Sequence, residues 1–275
     1  MKPVLFQIGG LPVYAYSFFI VVGYIACLLY GWWQAKKQGQ DPVNAIDTSV
    51  WIFISGFIGA RILYVIVSWR FFLEHPLDII KIWNGGFVFY GGFFGAIAGA
   101  LVFMRVRRLS YAVWVDLLSP VAMICLVFGR IGCFLNGCCY GAHAPNLPWA
   151  VTYPPAHPSL GLLQIPVHPA PIYESLACLL ITVILIVRLP RKRFPGEIFW
   201  LMAILYSLSR FTIEFFRGDP RGSVPYLNLS TSQFISVITG ITSTVFLARG
   251  WLKKRTPEPA PEAPPVPGPN AGAAP

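Results

Sequence analysis

The sequence predicts an all-α integral membrane protein with seven transmembrane helices, and three observations carry this prediction. The first is composition: 56% of the 275 residues are hydrophobic and 12% are charged, whereas a soluble protein has about 25% charged residues. The second is a series of apolar segments, each near the roughly 20 residues that a helix needs to cross a bilayer. The third is the placement of Lys and Arg residues in alternate loops. Together they exclude soluble globular, disordered, collagen-like and disulfide-scaffold proteins.

The predicted spans form one membrane domain over residues 1–255, and a cytoplasmic tail follows this domain. Their approximate ranges are 14–33, 46–68, 87–104, 112–136, 170–189, 196–216 and 230–250. Between the fourth and fifth spans, residues 137–169 form the longest external loop, whose Pro and His residues predict a small irregular cap. Residues 256–275 are rich in Pro, Ala and Gly and are predicted to be disordered.

The basic residues predict the orientation of the chain. Of the 21 Lys and Arg residues, 13 follow the first, third, fifth and seventh spans and five lie in the other loops. This places the N-terminus in the periplasm and the C-terminus in the cytoplasm. The net charge of +10 resides in loops beside apolar spans and not in one basic stripe, so nucleic acid is not expected as a partner.

Three arginines fall inside predicted spans: Arg61, Arg130 and Arg210. Each costs about 2.5–3.5 kcal/mol at the centre of a membrane helix unless it is partnered. Tyr206, Arg210 and Glu214 are spaced i, i+4 and i+8, so they share a helix face. The Arg210–Glu214 pair could simply neutralise itself, and Arg217 could extend to the membrane surface. An arginine cluster in a water-accessible cavity also suits a phosphate headgroup, because guanidinium binds phosphate bidentately.

Several motifs in order resemble the prolipoprotein diacylglyceryl transferase family of the bacterial inner membrane. They read PVYAYSFFIVVGY, GARILYV, WNGGFVFYGG, GRIGCFLNGCCYG, HPAPIYES and GEIFWLMAILYSLSRFTIEFFR. The resemblance covers most of the chain and is specific in combination. It implies transfer of the diacylglyceryl group of phosphatidylglycerol to the lipobox cysteine in the signal peptide of a prolipoprotein, with release of glycerol phosphate. It also implies an active site facing the outer leaflet, and neither a metal nor an organic cofactor.

By matching motif positions, the resemblance also implies the site residues. Arg130, Arg210 and Glu214 are the expected catalytic residues, and Arg130 also binds substrate. The other expected substrate-binding residues are Tyr16, Arg61, Tyr90, Asn136, Gly141, Tyr206 and His168. His168, Tyr173 and Glu174 lie together in the HPxxxYE block, and each has either a catalytic role or one in ordering the cap and the start of the fifth span.

This chain departs from the family at three positions. Tyr90 stands where the family has a histidine that is a proposed base for the thiol, Cys133 where it has asparagine, and Cys138 where it has glutamate. A phenol is a poor base at neutral pH because it titrates near pH ~10. Glu214, Glu174 or His168 could take the proton instead, or the arginines alone could acidify the substrate thiol.

The cysteines keep other functions open. Cys133, Cys138 and Cys139 could serve a membrane thiol–disulfide oxidoreductase or, with His143, a metal site, although the usual CxxC spacing is absent. Alternatively they fill tight packing or form one disulfide. A non-catalytic lipid-binding protein of the same fold, or a transporter whose arginines line an anion path, is a further alternative.

Overall fold

The computed structural model describes residues 4–153, 165–219, 223–224 and 229–253, and most of them are helical. The long helices are α1 (Ala15–Lys37), α2 (Pro42–Val67), α4 (Phe89–Val106), α5 (Tyr111–Asn136), α6 (Ala170–Arg188), α7 (Glu197–Glu214) and α8 (Thr231–Leu252). A short helix, α3 (Trp69–Glu74), and three 3₁₀ turns (Pro76–Ile79, Ile82–Asn84, Leu189–Arg191) complete the helical set in the described residues.

Six of these helices are long and apolar enough to cross a membrane, counting only the described residues: α1, α2, α4, α5, α6 extended to Arg191, and α8. The prediction of a helical integral membrane protein is therefore confirmed. The seventh predicted span corresponds to α7, whose 18 residues include three charged ones: Glu197, Arg210 and Glu214. A seventh crossing and the orientation of the termini stay predictions, and the predicted tail, 256–275, lies outside the described residues.

Two short antiparallel strand pairs, which the sequence did not predict, lie outside the spans of this mostly helical protein. Strand β1 (Val4–Ile8) pairs antiparallel with β2 (Leu11–Tyr14), and β3 (Ser223–Val224) pairs with β4 (Leu229–Ser230). Gly9 and Gly10, with φ of +56° and +84°, make the first turn, where positive φ favours glycine. That hairpin leads directly into α1.

The chain divides into two compact units. Among the described residues, the first unit holds 4–30 and 115–253, and the second holds 31–114. The division falls within α1 and α5, each of which contributes residues to both units.

In the second unit, α2 and α4 pack with their backbones in close approach. A Cβ added to Gly59 would collide with the backbone of Gly91 and Gly95 of α4. A Cβ added to Gly99 would collide with the Ser55 side chain. Small residues permit such contact between membrane helices, so Gly59 and Gly99 allow α2 and α4 to pack closely.

In the first unit, α5, α6 and α7 share an apolar core: Met123, Cys178, Ile181, Leu185, Leu189 and Ile198. Asp116 of α5 fixes the start of α7, because its carboxylate accepts hydrogen bonds from the backbone N–H groups of Gly196, Ile198 and Phe199 at 2.8–3.1 Å. With the three helices held in this register, the second half of α5, the start of α6 and the second half of α7 meet at one end of the unit.

Candidate functional site

A buried carboxylate, Glu174, lies at the centre of the polar residues at that end. It is at the start of α6 and its side chain is 1% exposed. One oxygen pairs with Arg130 of α5 at 2.8 Å and accepts the Tyr206 hydroxyl of α7 at 3.3 Å. The other oxygen pairs with Arg217 at 3.5 Å. One carboxylate thus holds two guanidinium groups and a phenol, and we call Arg130, Glu174, Tyr206 and Arg217 the Glu174 cluster.

Arg210 lies one helical turn beyond Tyr206 and is also buried. Its Nη2 pairs with Glu214 at 2.9 Å, the i, i+4 pair that the sequence predicted, and donates to the Ser232 hydroxyl of α8 at 3.0 Å. Its Nη1 is buried without a hydrogen-bond partner among the described residues. A buried guanidinium N–H without an acceptor is costly. It is therefore a position at which an anionic group would be favoured.

Gly141 ties the loop after α5 to the segment after α7. Its N–H donates to the His168 carbonyl oxygen at 3.0 Å, and it forms an isolated β-bridge with Arg217. A Cβ on Gly141 would collide with the carbonyl oxygens of His168 and Phe216. This position therefore requires glycine because two backbone segments approach it closely.

His168 belongs to the same region and is positioned by aromatic neighbours. Its Nδ1 lies 3.1 Å from the Tyr173 hydroxyl, which also accepts the Trp149 indole N–H at 2.8 Å. Its ring packs against Phe216 with centroids 5.2 Å apart. The predicted cap is thus irregular in the residues that the structure describes, with isolated bridges pairing Val167 to His143 and Val151.

Three thiols lie beside Arg130. The Sγ atoms of Cys133, Cys138 and Cys139 are all within 4.8 Å of one another, and we call these residues the thiol cluster. All three are free thiols. Arg130 Nη1 lies 3.8 Å from Cys139 Sγ. Hydrogen bonds from the Cys133 and Cys138 thiols, with Arg130 and Arg217 nearby, hold the pKa of Cys139 below its ordinary value.

Comparisons with known proteins show which family the chain is similar to. A family model described as prolipoprotein diacylglyceryl transferase matches residues 3–249. A Clostridium tetani protein is 36% identical over 241 residues, covering 87% of this chain and 94% of its own. A Rhodospirillum rubrum protein is 36% identical over 268 residues, covering 90% and 93%. A Synechocystis protein is 34% identical over 263 residues, covering 93% and 92%. All three are named phosphatidylglycerol–prolipoprotein diacylglyceryl transferase.

The chain belongs to the prolipoprotein diacylglyceryl transferase family. The resemblance drawn from its motifs is therefore confirmed, and with it a multi-pass membrane protein. The individual site residues that the resemblance implied are tested by none of these matches and stay predictions, which the structure places as follows.

Most of the predicted residues of this family member lie in the first unit. Arg130 and Tyr206 belong to the Glu174 cluster, and Arg210, Glu214, His168 and Gly141 have the contacts given above. Tyr16 begins α1 and packs on Gly132 of α5, where an added Cβ would lie 3.3 Å from its ring. Asn136 ends α5, and its side chain is hydrogen-bonded to Cys138.

Arg61 and Tyr90 lie in the second unit. Arg61 directs five N–H donors to backbone carbonyl oxygens, those of Asp78, Ile79, Lys81, Gly85 and Gly86, at 2.5–3.4 Å. Because a guanidinium has five donors, this bonding organises the α3–α4 connection and leaves none for a headgroup. Tyr90, in the first turn of α4, is exposed.

Two residues are more central to the site than the sequence indicated. The sequence offers Glu174 as a possible proton acceptor or a residue that orders the cap, and Arg217 as a side chain that could extend to the membrane surface. In the structure the Arg217 side chain is 2% exposed and pairs bidentately with Asp219 at 2.9 and 3.0 Å. The sequence contains one signal for the pairing of Arg130 with Glu174. Arg130 has no carboxylate in its own helix after Asp116, so a buried Arg130 needs a carboxylate from another helix.

Proposed function

We propose that this protein transfers the diacylglyceryl group of phosphatidylglycerol to the cysteine thiol of a prolipoprotein. The names of its relatives give these two substrates. The structural observation that carries the proposal is that Arg130 and Arg210 lie at one end of the first unit, joined through Tyr206 and Glu174. Two guanidinium groups in a poorly solvated site suit a phosphate ester that becomes a glycerol phosphate dianion.

The reaction is a substitution at carbon. The substrate sulfur attacks the glycerol carbon that bears the phosphate, the carbon–oxygen bond breaks, and the electron pair leaves with the phosphate oxygen. The products are a thioether and glycerol phosphate, and the thiol proton is released. Charge therefore accumulates on the phosphate in the transition state, where fixed cationic donors lower the barrier most.

We assign the phosphate to Arg130 and Arg210 and the positioning of Arg130 to Glu174. The unpartnered Nη1 of Arg210 supplies a donor that no described protein group uses. Tyr206 fixes the position of Arg210 relative to Arg130. It lies one helical turn before Arg210, and its hydroxyl donates to the Glu174 carboxylate with which Arg130 pairs. Glu214 holds Arg210 from the other side.

We assign proton acceptance to His168 among the groups that the sequence left open. Imidazole is the side chain best suited to exchange a proton near neutral pH. Glu174 and Glu214 are each paired with a buried arginine, so their carboxylates already have partners. Contact with Tyr173 and Phe216 orients the His168 ring.

The finer setting is also part of the proposal. The site would lie at the periplasmic face of the bacterial inner membrane, as the charge distribution of the loops predicts. The substrate cysteine would be the lipobox cysteine of a signal peptide. The exposed apolar side chains of the spanning helices, such as Ile62, Ile66, Phe94 and Val102, would face lipid. Phosphatidylglycerol would then reach the site laterally from the bilayer.

The direct test is one reaction with purified protein in detergent, phosphatidylglycerol and a lipobox peptide. Mass spectrometry should detect a diacylglyceryl thioether on the peptide, and glycerol phosphate should be released in equal amount. If neither product forms while a verified enzyme of the family is active in the same assay, the proposal is wrong.

Variants test the phosphate assignment. Arg130→Ala and Arg210→Ala should each reduce turnover by at least about 100-fold, the size of effect seen when one transition-state donor is removed. Arg191→Ala is the matched control, because Arg191 is exposed at the other end of the unit, and it should retain full activity. Full activity in either of the first two variants would refute the assignment.

A further inference from the structure

We propose that the thiol cluster is a binding site for monovalent copper, held by Cys133, Cys138 and Cys139. The three Sγ atoms lie within 4.8 Å of one another, close to the spacing that three ligands of one ion require. None is joined in a disulfide. Three converging soft ligands are a donor set that favours soft, closed-shell ions.

The backbone of the loop after α5 brings the three thiols together. The N–H of Cys138 donates to the Cys133 carbonyl oxygen at 3.1 Å, which folds the chain back over the last turn of the helix. Gly137 and Cys139 both have positive φ, +82° and +63°. Positive φ is uncommon for a residue other than glycine, and at Cys139 it turns the side chain toward the same point as its neighbour.

The number of ligands favours copper over zinc. Structural zinc sites almost always have four protein ligands in a tetrahedron. In the part of the chain that the structure describes, no His, Asp or Glu joins these three sulfurs. Three sulfurs without a fourth donor suit the trigonal coordination that Cu⁺ accepts.

Two arginines lie beside the proposed ligands. Arg130 lies 3.8 Å from Cys139 Sγ, and Arg217 is also hydrogen-bonded to Cys139. Groups that hydrogen-bond to a metal ligand fix the orientation of that ligand and stabilise its charge. The three cysteines are partly exposed, whereas Cys27 and Cys178 are buried, so an ion can reach the cluster.

The site has a consequence for transfer, and this consequence alone rests on the proposed function. Bound copper would engage Cys139, the thiol in contact with Arg130, and so place a new group beside the proposed phosphate site. Copper should therefore lower transfer activity.

The test is a copper titration of the reduced full-length protein without substrate, under anaerobic conditions, in competition with bicinchoninate. We expect one Cu⁺ per chain, with three sulfur scatterers in X-ray absorption at the copper edge. The triple variant Cys133→Ser/Cys138→Ser/Cys139→Ser should lose this stoichiometric binding, and Cys125→Ser should keep it. Arg217→Gln should weaken binding by roughly 10–100-fold, as loss of a group behind a metal ligand does.

Each alternative outcome overturns the proposal. Equal copper binding by the triple variant would place the ion elsewhere, and two sulfur scatterers would exclude the three-thiolate site. Tighter binding of Zn²⁺ than of Cu⁺ would refute the choice of metal. Circular dichroism and a monodisperse elution profile verify that the triple variant is folded, and single Cys→Ser variants repeat the titration if it is not. Because no substrate is present, these results are independent of whether transfer occurs, and inhibition is measured against each protein's own copper-free activity.

Discussion

Replacing Glu174 with glutamine should separate the function of the Glu174 cluster from its contribution to stability. The carboxylate pairs with Arg130 at 2.8 Å and with Arg217 at 3.5 Å. Arg217 keeps Asp219 as a bidentate partner, so the substitution leaves one poorly compensated guanidinium, that of Arg130. Breaking a buried ion pair costs about 3–5 kcal/mol. The lower end is expected, because the amide retains an acceptor oxygen.

Glu197→Gln is a control matched in burial and in partner. Glu197 is 0% exposed at the opposite end of the same unit, and its Oε1 accepts the Nε–H of Arg188 at 2.8 Å. Both variants should therefore lose a similar stability, with a fall in Tm of about 6–12 °C from the usual 2–4 °C per kcal/mol in chains of this order of size. Only Glu174→Gln should lose activity, by on the order of 100-fold, because a displaced positioning group misaligns the reacting atoms.

The assay is transfer to a lipobox peptide, run well below the Tm of both variants, with kcat and the KM for phosphatidylglycerol measured separately. Glu174→Gln should have little further effect in an Arg130→Ala background, since it acts through Arg130. Equal activity losses in the two glutamine variants would show that Glu174 has only a structural role. Additive losses with Arg130→Ala would refute the coupling.

Three further predictions concern single positions. Gly141→Ala should destabilise the protein by about 1–3 kcal/mol, the usual cost of overpacking, because the added Cβ would collide with the His168 carbonyl oxygen. Gly129→Ala is the control: nothing lies within 4 Å of a Cβ at that position, so the Tm should be unchanged. Asp116→Ala should lower stability by about 1–3 kcal/mol, since buried N–H groups at the start of α7 lose their acceptor. Transfer activity at low temperature should be retained. An unchanged Tm would contradict the capping role of Asp116. Tyr90→Phe should leave the pH–rate profile of transfer in place, and loss of the rise in rate with increasing pH would make this phenol the proton acceptor.

Most of the helices could be predicted from the sequence because a bilayer imposes one simple condition on each of them. A segment must be apolar over a nearly constant length, so local composition alone marked α1, α2, α4, α5, α6 and α8 to within a few residues. The two hairpins and α3 obey no such condition. They lie outside the spans, where turn geometry and local pairing determine the structure.

The pairing of charges could be predicted only within one helix. The i, i+4 spacing of Arg210 and Glu214 follows from helical geometry, and the structure has this pair at 2.9 Å. Glu174 and Arg130 are 44 positions apart on different helices, and no local rule joins them. The same reason made Arg61, buried in α2, resemble a headgroup ligand, although its partners are carbonyl oxygens of a later loop.

The sequence by itself determined that this protein is a helical membrane protein of a particular family, because hydrophobic length and ordered motifs are properties of the linear chain. Only the tertiary structure decided which buried charges on different helices neutralise one another. It also decided that Cys139 turns back toward Cys133, because convergence depends on one backbone torsion that the residue type does not reveal. Packing fixes which helix ends meet, and the electrostatics of the site depend on distances of a few ångströms that packing alone determines.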